Sequence, residues 1–269
     1  MLCGGITRTR KPYFCAPGHI QVGSSRMKMK IIKFFKDFLL WSGILGLLSG
    51  FNHLFFFLRN FNMLRSWIGR TNRTNLLIND FYSWKRDYPK RLKLFEVVAA
   101  YYELDKKELL YLEFGVASGS SFFWWMKKNN HPGSLFRGFD TFEGLPEDWG
   151  GFKKGAMAFD QVEAQDGRAE FVRGVFQESL HPFIESNKEL LQNKPKVIHL
   201  DADLFSSTIF VLSQLFPYLK KGDIIFFDEF NVANHEFLAY KIFTESFYVK
   251  LRPVGAVNNF YQTAFVVEK

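Results

Sequence analysis

Five acidic residues stand at the ends of apolar runs: Asp140 closes LFRGFD, Asp201 and Asp203 close VIHLDAD, and Asp228 with Glu229 closes IIFFDE. In an open parallel sheet, ligands bind outside the carboxyl ends of the strands. An acid ending the second strand is placed to accept hydrogen bonds from ribose hydroxyls, which points to an adenosine-containing cofactor. Asp201, Asp228 and Glu229 would offer Mg²⁺ three hard oxygen ligands with positions left open, if the fourth and fifth strands adjoin. Without a cation, three close carboxylates repel one another. Singly, each acid could equally cap a helix or pair with a basic residue, so the signal is their joint placement. Asp203 could cap the helix SSTIFVLSQLF, a role for which Ser206 and Ser207 compete. His199 and His235 are the histidines near these ends, and His235, seven residues after Asp228, is the better candidate base.

These residues need a scaffold, and from about residue 91 the chain alternates strand-length apolar runs with longer helical patterns, the sign of a parallel α/β sheet. RLKLFEVVAAYYEL reads as a helix, ELLYLEFG as a first strand and SSFFWWMKKNN as the helix after it. LFRGFD, EFVRG, KVIHLDAD and DIIFFDEF read as four more strands, with SSTIFVLSQLFPYLK and NHEFLAYKIFTESF as helices. YVKLRPVG and FYQTAFVVEK read as a closing antiparallel pair. Between the first strand and its helix, GVASGSS forms a small-residue loop that could hold a dinucleotide, a phosphate or another cofactor. Residues 141–168 show no clear period and carry Gly and acidic residues, so they read as a functional loop or a solvated connection, with Trp149 suggesting a lid.

The chain has 269 residues, 47% of them hydrophobic and 18% aromatic, which suits one sizeable core and excludes disorder throughout. Its net charge of +8 is uneven, with +14 in residues 1–94 and −6 in the rest. Cys3 and Cys15 are its two cysteines, so nothing downstream can be a disulfide framework or a thiolate metal site, which suits a reducing, cytoplasmic setting. Residues 1–26 read as a disordered tail or an upstream start, with Met27 or Met29 as alternative starts, and residues 27–90 as a basic, apolar helical segment. Residues 38–58 approach the length of a bilayer span and follow Lys28, Lys30, Lys33 and Lys36. They could form a covered helical pair, a helix lying in a membrane interface, or a span. No helix-turn-helix, zinc or RNP pattern accompanies this charge, so a membrane surface contacted through residues 28–58 ranks above nucleic acid as its partner.

With these motifs in place, the chain resembles a class I S-adenosylmethionine-dependent methyltransferase. Glu113-x-Gly115-x-x-x-Gly119 is similar to that superfamily's first motif and departs from the dinucleotide GxGxxG, because Val116-Ala117-Ser118 separates the glycines. Joined in order by GFDTFEGLPEDW, RGVFQESL, HLDADLFSST and FFDEF, it resembles the macrocin O-methyltransferase (TylF/MycF-like) family over residues 91–269. The resemblance implies a Rossmann-like three-layer α/β sandwich with a mostly parallel seven-stranded sheet, here with an N-terminal helical extension. It also implies S-adenosylmethionine as methyl donor and Mg²⁺-dependent methylation of a sugar hydroxyl. Under it, Glu113, Gly115 and Gly119 shape the site for the methionine part, Asp140 binds the ribose, and Gly174, Val175 and Phe176 border the adenine. Asp201, Asp228 and Glu229 hold the metal, and the expected catalytic residues are Asp201 and His235. Two departures stand out: Glu229 replaces a frequent aspartate, and residues 205–207 offer no lysine base.

A sugar hydroxyl is a weak nucleophile near neutral pH and needs a metal or a positioned base. The leading expectation is therefore an O-methyltransferase acting on a sugar or glycosylated metabolite. A nicotinamide-dependent oxidoreductase or epimerase on a Rossmann sheet is the second, and a membrane-tethered, non-catalytic binding protein the third. Exposed aromatic helices would suit a homodimer.

Overall fold

The computed structural model describes residues 22–149, 151–160 and 162–268. Its contacts divide the chain into two compact units, one ending at His53 and one beginning at Leu54. The first contains helix α1 (Val22–Ser42) and a 3₁₀ helix (Ile44–Phe51). Gly43 separates them at φ +61°, a left-handed conformation that ends an α-helix. The apolar run 38–58 is thus broken, and no helix among the described residues is long and apolar enough to cross a membrane. Residues 1–21 of the expected tail lie outside the described residues, and residues 22–26 open α1.

The second unit opens within helix α2 (Asn52–Arg70) and continues through α3 (Lys90–Tyr102) into the sheet. Its strands are β1 (Leu110–Phe114), β2 (Leu135–Asp140), β3 (Ala169–Arg173), β4 (Lys196–Leu200), β5 (Ile224–Phe227), β6 (Leu251–Val257) and β7 (Gln262–Val267). They lie in the order β3-β2-β1-β4-β5-β7-β6. β1 to β5 pair in parallel, while β7 runs antiparallel to both β5 and β6. The seven-stranded, mostly parallel sheet anticipated from the sequence is present. Its strand order reverses direction between β1 and β4, which opens a crevice at their carboxyl ends.

Side-chain alternation builds the layers. Leu110, Leu112, Phe114, Ile198, Leu200 and Phe227 join one core cluster with α7 (Phe205–Leu215), α8 (Glu236–Ser246) and α5 (Phe176–Ser186). Tyr111, Val197, Ile224 and Phe226 join the other with α3 and α4 (Ser120–Lys128). Both faces are covered, which is why the central strands read as unbroken apolar runs. Helix α5 and the short α6 (Lys188–Asn193) were not legible as helices, and Pro182 inside α5 removes a backbone donor and blurs its pattern.

Within the segment 27–90 expected as a helical extension, the second half of α2 packs into the core. Trp67 meets the rings of Phe230, Phe260 and Phe265 at 4.9, 5.8 and 5.9 Å, and its Nε1 donates to the Tyr240 hydroxyl at 3.2 Å. Trp67→Ala is expected to cost roughly 2–3 kcal/mol of stability, read as a lower urea midpoint with an unchanged m-value. An unshifted midpoint would show that α2 does not support the sheet.

Candidate active site

A cavity of about 470 Å³ lies in the crevice at the carboxyl ends of β1, β2, β4 and β5. Gly115 and Ala117 border it from the first strand, Asp140 and Thr141 from the second, and Val175, Phe176 and Gln177 from the start of α5. Asp201, Ala202 and Asp203 follow β4, and Asp228 and Glu229 follow β5. The loop 141–168 supplies Leu145, Pro146, Trp149, Phe152, Met157 and Phe159. Trp149 and Phe152 stack with centroids 5.6 Å apart, giving this loop an aromatic face on the cavity.

Gly115 brings two strand ends together. At φ +94° its backbone passes so close to β4 that a Cβ would lie 1.8 Å from the Asp201 carbonyl oxygen. The following Val116 and Ala117 N–H groups both donate to Asp140 Oδ2, at 2.7 and 2.8 Å, and the Phe142 N–H donates to Oδ1 at 2.7 Å. The turn therefore carries its own internal carboxylate where a dinucleotide loop would leave N–H groups free for a pyrophosphate. Three of the roughly four lone-pair directions of Asp140 are used this way, and the residue also borders the cavity.

Glu113, Gly119 and Gly174 are not in the cavity wall. Gly119 opens α4 beside the Phe123 ring, and Gly174 precedes the wall residues Val175 and Phe176. Glu113 is buried beneath the site, where its Oε2 accepts the Tyr111 hydroxyl at 2.6 Å and its Oε1 lies 3.7 Å from His199 Nδ1.

This buried layer continues to the expected metal ligands. His199 Nε2 lies 3.8 Å from Asp228 Oδ1. Burial alone would lower the imidazole, but the carboxylates of Asp228 and Glu113 override it and push it up to about 9. Arg91, reaching in from α3, places Nη1 3.2 Å from Asp228 Oδ1 and 3.3 Å from Asp201 Oδ2. Burial tends to raise Asp228, yet His199 and Arg91 hold it below the ordinary carboxylate value. Asp201 is raised by burial and by Asp228 beside it.

In this arrangement protein groups already engage the acids expected to hold Mg²⁺. Atoms of His199, Asp201 and Asp228 do come within 4.8 Å of one another, a spacing a metal could use. To hold an ion there, His199 would have to give up its proton. The guanidinium of Arg91 bridges the two aspartates, while Glu229, the third expected ligand, lines the same cavity with its Oε1 on Tyr261. Glu229 Oε1 accepts the Tyr261 hydroxyl, and burial followed by repulsion from Asp203 pushes the Glu229 carboxyl up to about 9, against the pull of that hydrogen bond. Arg91 and His199 supply positive charge beside these acids, which supports a metal-free reading alongside the expected Mg²⁺.

His235 also departs from expectation. It stands at the start of α8, outside the cavity wall, where its Nδ1 accepts the Phe205 N–H at 3.3 Å and burial lowers its pKa. Asp203, assigned by sequence to a possible cap, instead lines the cavity. The residue preceding α7 is Leu204, and Asp203 sits at φ +56°, a conformation few non-glycine residues adopt. Burial raises its carboxyl to about 6, with Asp228 and Asp140 adding to the rise and Glu229 opposing it. Arg91, Tyr88 and Tyr261 are further wall residues that no motif marks. Tyr261 is held there by the β6–β7 turn, whose Asn258 and Asn259 side chains accept the Asp87 and Ser83 N–H groups.

These protonation states set a pH dependence of stability. His199 folds with a pKa near 9 against an ordinary 6.5, so its contribution is complete below pH 6.5 and lost as pH rises through 9. Glu229, near 9 against 4.5, also binds a proton that the unfolded chain releases, so its effect has the same sign over that range. The urea midpoint is therefore expected to fall between pH 7 and 9, by a loss on the order of a few kcal/mol. A midpoint that rises would contradict these assignments.

Residues 112–230 match the family model described as a methyltransferase domain. No protein of curated function matches the sequence significantly. The solved structure of CalS11, a calicheamicin methyltransferase, is similar with 20% identity over 77% of this chain and 91% of that chain, at a TM-score of 0.54. The apo form of CalS11 is described as a TDP-rhamnose 3′-O-methyltransferase. The O-methyltransferase TomG from Streptomyces achromogenes, solved with its methyl donor SAM, is 12% identical over 69% of this chain and 82% of that one, at a TM-score of 0.41. At this distance CalS11 shares the fold, and TomG adds no argument.

Proposed function

We propose that this chain, which carries a methyltransferase domain over residues 112–230, is an S-adenosylmethionine-dependent O-methyltransferase acting on a hydroxyl of a sugar or glycosylated metabolite. The observation that carries the reading is the Asp140 carboxylate closed onto the Val116 and Ala117 N–H groups. It removes the anion cradle that a nicotinamide dinucleotide requires, and leaves a close-packed turn suited to a donor without phosphate. Asp140 and Thr141 would meet the ribose, Val175 and Phe176 the adenine, and the Gly115–Ala117 turn the methionine part. Bound S-adenosylmethionine supplies an electrophilic methyl group on sulfur.

The chain's own part is to hold the acceptor and take its proton. Asp203 lines the same cavity, carries a pKa near 6 and is ionised at neutral pH, so it is the base proposed for the acceptor hydroxyl. Neutral Glu229 beside it can donate a hydrogen bond and adds no second negative charge. Arg91 keeps Asp201 and Asp228 together and would orient the acceptor through them. A sugar acceptor is in keeping with the activity of CalS11. The test is transfer of labelled methyl from S-adenosylmethionine to a panel of glycosides and sugar nucleotides, with and without a chelator. Transfer that survives chelation is expected, and transfer that needs added Mg²⁺ would overturn the metal-free reading.

A further inference from the structure

Four arginines on the far side of Tyr261 have no role in the reading above. Arg65, Arg70, Arg73 and Arg86 border a second cavity of about 930 Å³, walled by Phe61, Leu64, Ile68, Phe81 and Tyr82. Among the described residues, none of the four has a carboxylate within ion-pair distance. Arg73 lies 5.0 Å above the Phe81 ring and Arg86 lies 4.0 Å above Tyr261, so aromatic faces hold two of the guanidinium groups while their N–H donors stay available. Unpaired arginines around an apolar hollow attract an anion and favour one joined to an apolar body.

The surroundings specify that body. Leu54, Leu58, Phe61, Arg65 and Ile68 fall on one face of α2 at i, i+4, i+7, i+11 and i+14, with Phe57 stacked on Phe61 at 5.6 Å. The apolar members Leu54, Phe57, Leu58 and Phe61 are all exposed, as the stripe runs toward the arginines. On the other rim of the cavity, Tyr82 is 61% and Trp84 92% exposed, with their rings 5.0 Å apart. An exposed Trp–Tyr pair beside arginines, next to an apolar helix face, is the composition of a membrane interface.

We propose that this cavity binds the phosphate headgroup of an anionic membrane lipid. The arginines hold the phosphate, while Trp84, Tyr82 and the α2 stripe enter the acyl boundary beside it. The site belongs to residues 54–86 and 231–261 and does not depend on methyl transfer.

The test is sedimentation of the full chain with phosphatidylcholine vesicles and with vesicles that also contain phosphatidylglycerol. Tight binding is expected only to the second, with Arg65→Ala/Arg73→Ala weakening it roughly 30-fold. Trp84→Ala should weaken it too, and its exposed position keeps the test valid if the double variant folds poorly. Unchanged circular dichroism and S-adenosylmethionine affinity would show intact folds. Equal vesicle binding by wild type and variants would overturn the proposal and assign the attraction to the N-terminal lysines. Complete displacement from the vesicles by free pyrophosphate would equally overturn it, making the cavity a site for soluble phosphate.

Discussion

Asp203→Asn is expected to lower methyl-transfer turnover by about 10³-fold while leaving S-adenosylmethionine affinity within a few-fold of wild type. The substitution keeps the side chain's size and removes the one ionised carboxylate of the cavity wall that neither Arg91 nor the Asp140 turn engages. Asparagine also tolerates the left-handed backbone at this position, so the fold should persist. The wild-type rate should rise with pH through about 6 as Asp203 ionises, and that limb should vanish in the variant. Parallel losses of turnover and donor affinity would point instead to a structural role. An unchanged turnover would remove Asp203 as the base.

Arg91→Ala should lower turnover by about 10²-fold through a different cause. Removing the guanidinium leaves Asp201 and Asp228 facing each other, partly buried, without the cation between them. Breaking such a pair from one side costs about 3–5 kcal/mol, so the variant should also unfold earlier in urea. Arg91→Lys separates charge from geometry, because an ammonium neutralises the acids but cannot reproduce the planar fork. It should restore stability more fully than turnover. The vacated position should also admit a divalent ion, so Mn²⁺ binding measured by electron paramagnetic resonance should appear in Arg91→Ala and be absent from wild type. Tight Mn²⁺ binding by wild type, lost in Asp228→Asn, would reinstate a metal at this site.

The parts of this site that the sequence makes legible share one physical origin. Parallel strands buried on both faces read as apolar runs, and an acid closing such a run marks its carboxyl end, so Asp140, Asp201 and Asp228 could be located without coordinates. What stays hidden depends on partners distant in the chain. Arg91 sits 110 residues before Asp201 and reads as an ordinary basic residue at the start of a helix, until α3 packs against the sheet. Glu113 belongs to the first-motif pattern, yet its role below the cavity follows from Tyr111 and His199, whose approach depends on the β1–β4 register. The same register sets Asp201 next to the turn at Gly115. Trp67 is hidden for the same reason, since a basic, apolar helix gives no sign of which neighbour will cover its tryptophan. The glycine spacing shows that the first loop is not a dinucleotide fingerprint, and the Asp140 hydrogen bonds supply the reason.

Calorimetric titration of the full chain with S-adenosylmethionine tests whether the cavity between β1 and β4 holds this donor. One-site binding is expected, with competition by S-adenosylhomocysteine and a loss of at least about tenfold in Asp140→Ala, whose turn loses the carboxylate that orders it. Absence of binding by a folded wild-type chain, or binding of NADH at the same site, would contradict that expectation.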